Sequence, residues 1–89
     1  MHYYEIKPNL QKILGKISKK NNALYEQIIK KINEIVNAYD ISHYKNLRYS
    51  MKDCKRVHIG HFVLVFSLDN VKKIISFLDF DHHDKIYKR

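Results

Sequence analysis

Apolar and polar positions follow two different rhythms along this chain, and the change of rhythm divides it. In the first half the apolar residues recur every three to four positions. Leu10, Ile13, Leu14 and Ile17 make one such stripe, and Leu24, Ile28, Ile32, Ile35 and Tyr39, joined by Tyr25, Ile29 and Val36, make a longer one. Spacing of i, i+3, i+4, i+7 lines one side of an α-helix, so the pattern predicts a short helix and then a long one over about residues 22–39. Pro8 suits the first turn of the first helix, where its missing N–H would be unpaired anyway. Asn21 or Asn22 can cap the second. Ahead of both, residues 2–7 hold Tyr3, Tyr4 and Ile6 around Glu5 and predict a short strand.

Beyond a predicted loop at residues 40–46 the period shortens to two, or the run becomes apolar throughout. LRYSMKD (47–53), KRVHI (55–59), HFVLVFSL (61–68) and KKIISFLDF (72–80) are four candidate strands, separated by Asp53-Cys54, Gly60 and Asp69-Asn70. Connections this short join antiparallel neighbours. In KRVHI the alternation places Val57 and Ile59 on one side and Arg56 and His58 on the other, while FVLVF fits a central strand. A helical hairpin with one apolar side needs a sheet to lie on. The predicted fold is α+β, a single domain over residues 1–89: an N-terminal strand, a helical hairpin, then a four-stranded antiparallel sheet with the helices packed on one face and a partly polar opposite face.

Eighty-nine residues bury one modest core, and 45% hydrophobic residues with two Gly and one Pro describe an ordered chain. One cysteine, Cys54, excludes an internal disulfide, and with it a disulfide-stapled secreted scaffold. The opening residues lack a signal-peptide pattern and no apolar run reaches bilayer length, so the expected location is the cytoplasm, with no membrane partner.

Charge changes the picture more. Seventeen Lys and Arg against nine Asp and Glu leave a net charge of +8, a field that favours polyanions: nucleic acid or an acidic protein. Five of the six His lie in the second half, two of them in the tail DHHDKIYKR (81–89) that follows the apolar run IISFLDF. His82 and His83 can act as acid or base, since a free imidazole titrates near pH ~6.5. Tyr87 can stack on a base or donate a proton, and Arg48, Lys52, Lys55 and Arg56 can clamp phosphates. His58 shares the predicted polar side with Arg56. In an extended tail adjacent His point in opposite directions, so at most one of the pair is expected to face a site. His61 and His43 read as structural or solvated. The run DFDHHD carries metal-ligand types, yet the sequence shows no second ligand cluster and predicts neither metal nor cofactor.

The order of elements, together with LRYSMKD, RVHIGHFVLVFSLD and FLDFDHHDKIYK, resembles the RelE/ParE superfamily of toxins from type II toxin–antitoxin pairs, over essentially the whole chain. Arg48 falls where the family often has a basic residue after Leu, and Lys52, Lys55 and Arg56 fall in its basic strand region. His82 takes the family's His position, His83 stands where many members carry Arg, and Tyr87 matches the closing Tyr. Two features depart from the pattern. Val63 follows Phe62 where many members carry Arg, and Asp81 and Asp84 sit where a basic cluster is usual.

The resemblance implies a RelE-like mRNA interferase, a metal-independent endoribonuclease and hydrolase that cuts mRNA in the ribosomal A site by 2′-OH attack on the adjacent phosphate. His82, His83, Tyr87 and Arg56 would be its catalytic groups, with Arg48, Lys52, Lys55 and His58 binding RNA. It further implies as partners the ribosome, mRNA and a cognate acidic RelB-like antitoxin, the last in a toxin–antitoxin hetero-oligomer. Two other readings fit the same residues: a ParE-like inhibitor of DNA gyrase, and a non-catalytic basic RNA-binding module.

Overall fold

A computed structural model of the protein describes residues 2–41, 44 and 54–87. Its elements run β1 (Tyr3–Ile6), α1 (Pro8–Lys20), α2 (Asn22–Val36), β2 (Lys55–Ile59), β3 (Phe62–Asp69), β4 (Ile74–His82) and α3 (His83–Tyr87). The α+β class and the helical hairpin are as the periodicity predicts. Pro8 opens α1, and the Asn21 side chain caps α2 by accepting the Leu24 N–H at 3.1 Å. The second helix is shorter than its apolar stripe. It stops at Val36, with Asn37 as its C-cap, which leaves Tyr39 fully exposed beyond the helix.

The sheet has four strands in the order β1-β4-β3-β2. The pairs β2–β3 and β3–β4 are antiparallel, as their short connections require. The N-terminal strand corrects the predicted topology. It lies within the sheet, parallel to β4, with Tyr3 opposite Ile74 and Ile6 opposite Phe77, so the sheet is mixed. Parallel neighbours need a long crossover, and the helical hairpin lies within the chain that separates these two strands. The predicted strand at residues 47–53, and with it Arg48, Lys52 and the loop residue His43, lies outside the described residues.

One side of the sheet carries the main core. Leu10 and Leu14 of α1 and Ile28, Ile32, Ile35 and Val36 of α2 pack on Ile59, Leu64, Phe66, Ile75, Phe77 and Phe80. Phe62 stacks on Phe80 with ring centroids 5.1 Å apart. A register shift gives this side its aromatics: Val65 pairs with Asp79 and Phe66 with Phe77, so Leu78 is an extra residue on β4. Phe77 and Phe80 thereby both join the core beneath the helices, and Leu78 joins a second, smaller cluster.

That smaller cluster defines the other side. Val63 and Val65 of β3 are fully buried there, with Ile86 of α3 buried against them and Leu78, Cys54 and Tyr87 at its margin. The residues after β4 do not trail away as an extended tail. They turn into α3 and fold back over the sheet side opposite the hairpin. Val63, where the resemblance leads one to expect Arg, is thus part of the apolar seat on which α3 is docked.

Candidate functional site

Three elements bring their polar side chains together around α3. The first is β2, whose alternation is as read from KRVHI: Val57 and Ile59 pack with the main core, and Arg56 and His58 take the opposite side. Lys55 has the same parity as Val57, so it goes with the helix side. It pairs with the core residue Phe66, and its Nζ donates to the Tyr44 carbonyl at 3.3 Å. The sequence groups Lys55 with Arg56 as a phosphate clamp, and the strand register sets the two on opposite sides of the sheet.

Arg56, His58 and Tyr87 form one group. An Arg56 Nη1–H donates to His58 Nε2 at 3.0 Å. The guanidinium carbon lies 5.5 Å from the centre of the Tyr87 ring, and that ring is 6.5 Å from the His58 ring. Arg56 Nε is buried with no hydrogen-bond partner among the described residues, so the cation is held by its stacking and its Nη1 contact. His58 is kept below the ordinary imidazole value of 6.5, first by burial and then by the positive charge of Arg56 and of His83. A neutral His58 is also what accepting from Arg56 requires.

His82 and His83 form the second group. The expectation that they point apart fails because the strand ends between them: His82 closes β4, His83 opens α3, and their rings come within 4.7 Å, centroid to centroid. The corner is braced by backbone, as the His83 N–H donates to the His61 carbonyl at 3.0 Å. His82 sits between Phe62, edge to face at 5.8 Å, and His61, stacked at 6.2 Å. Asp84 touches both imidazoles, with Oδ1 3.2 Å from His83 Nε2 and Oδ2 3.7 Å from His82 Nδ1. Asp81 turns back on the chain and accepts the His82 N–H at 2.8 Å.

The structure therefore gathers Arg56, His58 and Tyr87 into one group and His82 and His83 into another, the two joined through α3, which carries both His83 and Tyr87. His82 has the parity of Phe80 and pairs with Phe62, so it leaves the sheet on the hairpin side, and Lys55 also lies apart from Arg56. It adds His61 and Asp84. His61 was legible in one respect: Ile59 pairs with Phe62, so Gly60-His61 is a two-residue hairpin turn, and the antiparallel register then sets the β3 start beside the β4 end. Among the described residues, His82, His83 and Asp84 are the group able to hold a metal ion, their ligand atoms lying within 4.8 Å of one another.

The chain matches the family model described as ParE toxin of type II toxin–antitoxin system over residues 4–87. It belongs to the ParE-type toxins of type II toxin–antitoxin systems. Within this RelE/ParE superfamily, a protein of Methanocaldococcus jannaschii named "Putative toxin RelE4" is 50% identical over 90 residues, covering 100% of this chain and 94% of that protein. The isolated RelE toxin of E. coli superposes with a TM-score of 0.74 at 20% identity, covering 99% of this chain and 93% of that one. A chain of the intact E. coli RelBE toxin–antitoxin complex superposes with a TM-score of 0.72 at 18% identity, over 92% of this chain and 96% of that one. These two likenesses are of fold. No helix among the described residues of this toxin is long and apolar enough to cross a membrane.

Proposed function

We propose that this toxin is a ribosome-dependent mRNA interferase whose site is the patch built on α3 and the polar side of β2. The observation that carries the reading is a pair of imidazoles 4.7 Å apart where β4 runs into α3, with a guanidinium stacked on the Tyr87 ring of that same helix. RNA cleavage without a metal needs these parts. A base takes the proton of the 2′-OH, the 2′-oxygen forms a bond to phosphorus, and the bond from phosphorus to the 5′-oxygen breaks. An acid gives that oxygen its proton, and a 2′,3′-cyclic phosphate remains. His82 and His83 supply the proton acceptor and donor. Arg56, stacked on Tyr87, offsets the charge on the phosphate, and His58 orients Arg56. The bent mRNA and the ribosomal RNA supply the rest of the geometry, and Arg48 and Lys52 extend the phosphate contacts. The chemistry belongs to the cytoplasm, where translation takes place.

The test is primer extension on an mRNA in a purified translating system, with this protein, without it, and with ribosomes omitted. The expected result is cuts at codon-phased positions only where ribosomes are present. Single His82→Ala and His83→Ala variants should each lower cleavage by about a hundredfold or more, the range for losing a positioned acid or base. Intact mRNA under active translation would sink the reading. A second function is favoured by one observation, the match to a ParE-type model: inhibition of DNA gyrase, read as loss of supercoiling with mRNA uncut. Loss of neither, with salt-dependent RNA affinity, would leave a non-catalytic RNA-binding module.

The regulatory partner we infer is a RelB-like antitoxin, acidic and in part disordered, that associates with this basic chain as a hetero-oligomer. The net charge of +8 and the likeness in fold to a chain solved within a toxin–antitoxin complex support it.

A further inference from the structure

We propose that His82, His83 and Asp84 form a binding site for a divalent transition-metal ion of the zinc type, and that loading it switches the toxin off. Three consecutive residues are poor ligands in an extended chain, because alternate side chains point apart. Here the strand ends and the helix begins inside the triplet, and the corner is fixed by the His83 N–H bond to the His61 carbonyl. Each imidazole consequently turns one ring nitrogen toward the Asp84 carboxylate, His83 toward Oδ1 and His82 toward Oδ2.

The separations suit the ion. Zinc bound to nitrogen and oxygen at about 2.0–2.2 Å in a tetrahedron sets its ligand atoms about 3.4 Å apart. His83 Nε2 and Asp84 Oδ1 are 3.2 Å apart, and His82 Nδ1 and Asp84 Oδ2 are 3.7 Å apart. The whole set spans 4.8 Å, within reach of small side-chain rotations. The competing contact at His82 Nδ1, from the Asp84 N–H, is long at 3.3 Å. At His83, Nδ1 is buried without a hydrogen-bond partner among the described residues, so the ring's polar contact is through Nε2, the atom facing Asp84. Two imidazoles and a carboxylate are a donor set for zinc and its neighbours rather than for magnesium or calcium.

The site also gives Asp84 a role. A carboxylate amid groups meant for a phosphate chain repels the ligand, and nothing in the proposed cleavage requires it. A bound cation needs it. Loading occupies the lone pairs of both imidazoles, which ends their exchange of protons with RNA; this consequence rests on the proposed cleavage, whereas the binding itself does not.

The test begins without RNA. Cobalt(II) titration of the intact protein, followed by visible absorption and then by zinc displacement, should give one site per chain. His83→Ala and Asp84→Asn should weaken binding by roughly tenfold or more with unchanged circular dichroism, and His2→Ala should not. Absence of a saturable site, or equal affinity in all four proteins, overturns the proposal. In the translating system, zinc should suppress cleavage reversibly by chelator, and the remaining cleavage of Asp84→Asn should not respond. Zinc that binds at the site while cleavage continues overturns the switch. A wild type that binds cobalt and never cuts mRNA overturns the interferase reading and leaves the metal site standing.

Discussion

At the scale of residues, His58 links the site to stability. Its imidazole gains a proton less readily in the folded chain than in the unfolded one, because burial and the charges of Arg56 and His83 oppose the cation. The unfolded state therefore binds more protons as pH falls below about 6.5, and folding loses free energy in that window. The contribution is complete above pH ~6.5 and is lost as pH drops through the depressed folded value. Urea melts between pH 8 and pH 5 should show this decline in the wild type and a flatter profile in His58→Gln. The Tyr87 ring seats Arg56, whose guanidinium carbon lies 5.5 Å from the ring centre. Tyr87→Ala should lower mRNA cleavage roughly a hundredfold, the scale of removing one oriented electrostatic group, and Tyr87→Phe should retain most of it. A Phe variant as inactive as the Ala variant would make the hydroxyl the working group instead.

Among the elements, α3 is held by little: Ile86 against Val63 and Val65, with Tyr87 and Leu78 at the edge. Ile86→Asp should undock it, because an unpaired carboxylate in that seat costs several kcal/mol. Helix content and the main core should survive, read by far-UV circular dichroism, while cleavage falls to background. Phe66→Ala should do the opposite, costing about 3–5 kcal/mol of stability at a fully buried position under the hairpin without touching the site. How much was legible in the sequence follows from which interactions decide each element. The helices and the side each residue of β2 takes were legible, since they depend on spacing alone. The parallel place of β1 was not, because its partner Ile74 lies far along the chain. The convergence of His82 and His83 was hidden for a different reason: it depends on where β4 stops, and that stop is set by pairing with Phe62 and Val63. Lys55 was misplaced by counting it with its neighbour Arg56, although the period of two already separated them.

For the whole molecule, the net charge of +8 is the governing quantity. Affinity for ribosomes or RNA should fall steeply and linearly with the logarithm of salt concentration, with a slope of about −0.7 per neutralised phosphate on single strands. Binding assays at two or more salt concentrations would measure it, and an affinity indifferent to salt would remove the electrostatic argument. An acidic antitoxin should meet the same field, so the two proteins should associate faster at low salt.

The sheet order also has a temporal meaning. β1 is the first of the described elements to be synthesised, and the strand it pairs with is the last. Until β4 has been made, β1 has no in-sheet neighbour, and β3 lacks the partner that separates it from β1. The same late strand ends in His82 and leads straight into α3, so a nascent chain that stops short of them lacks the proposed site. If the proposed patch is the working site, the toxin stays inert until its last strand has joined the sheet, and that interval is time in which an antitoxin can already be waiting.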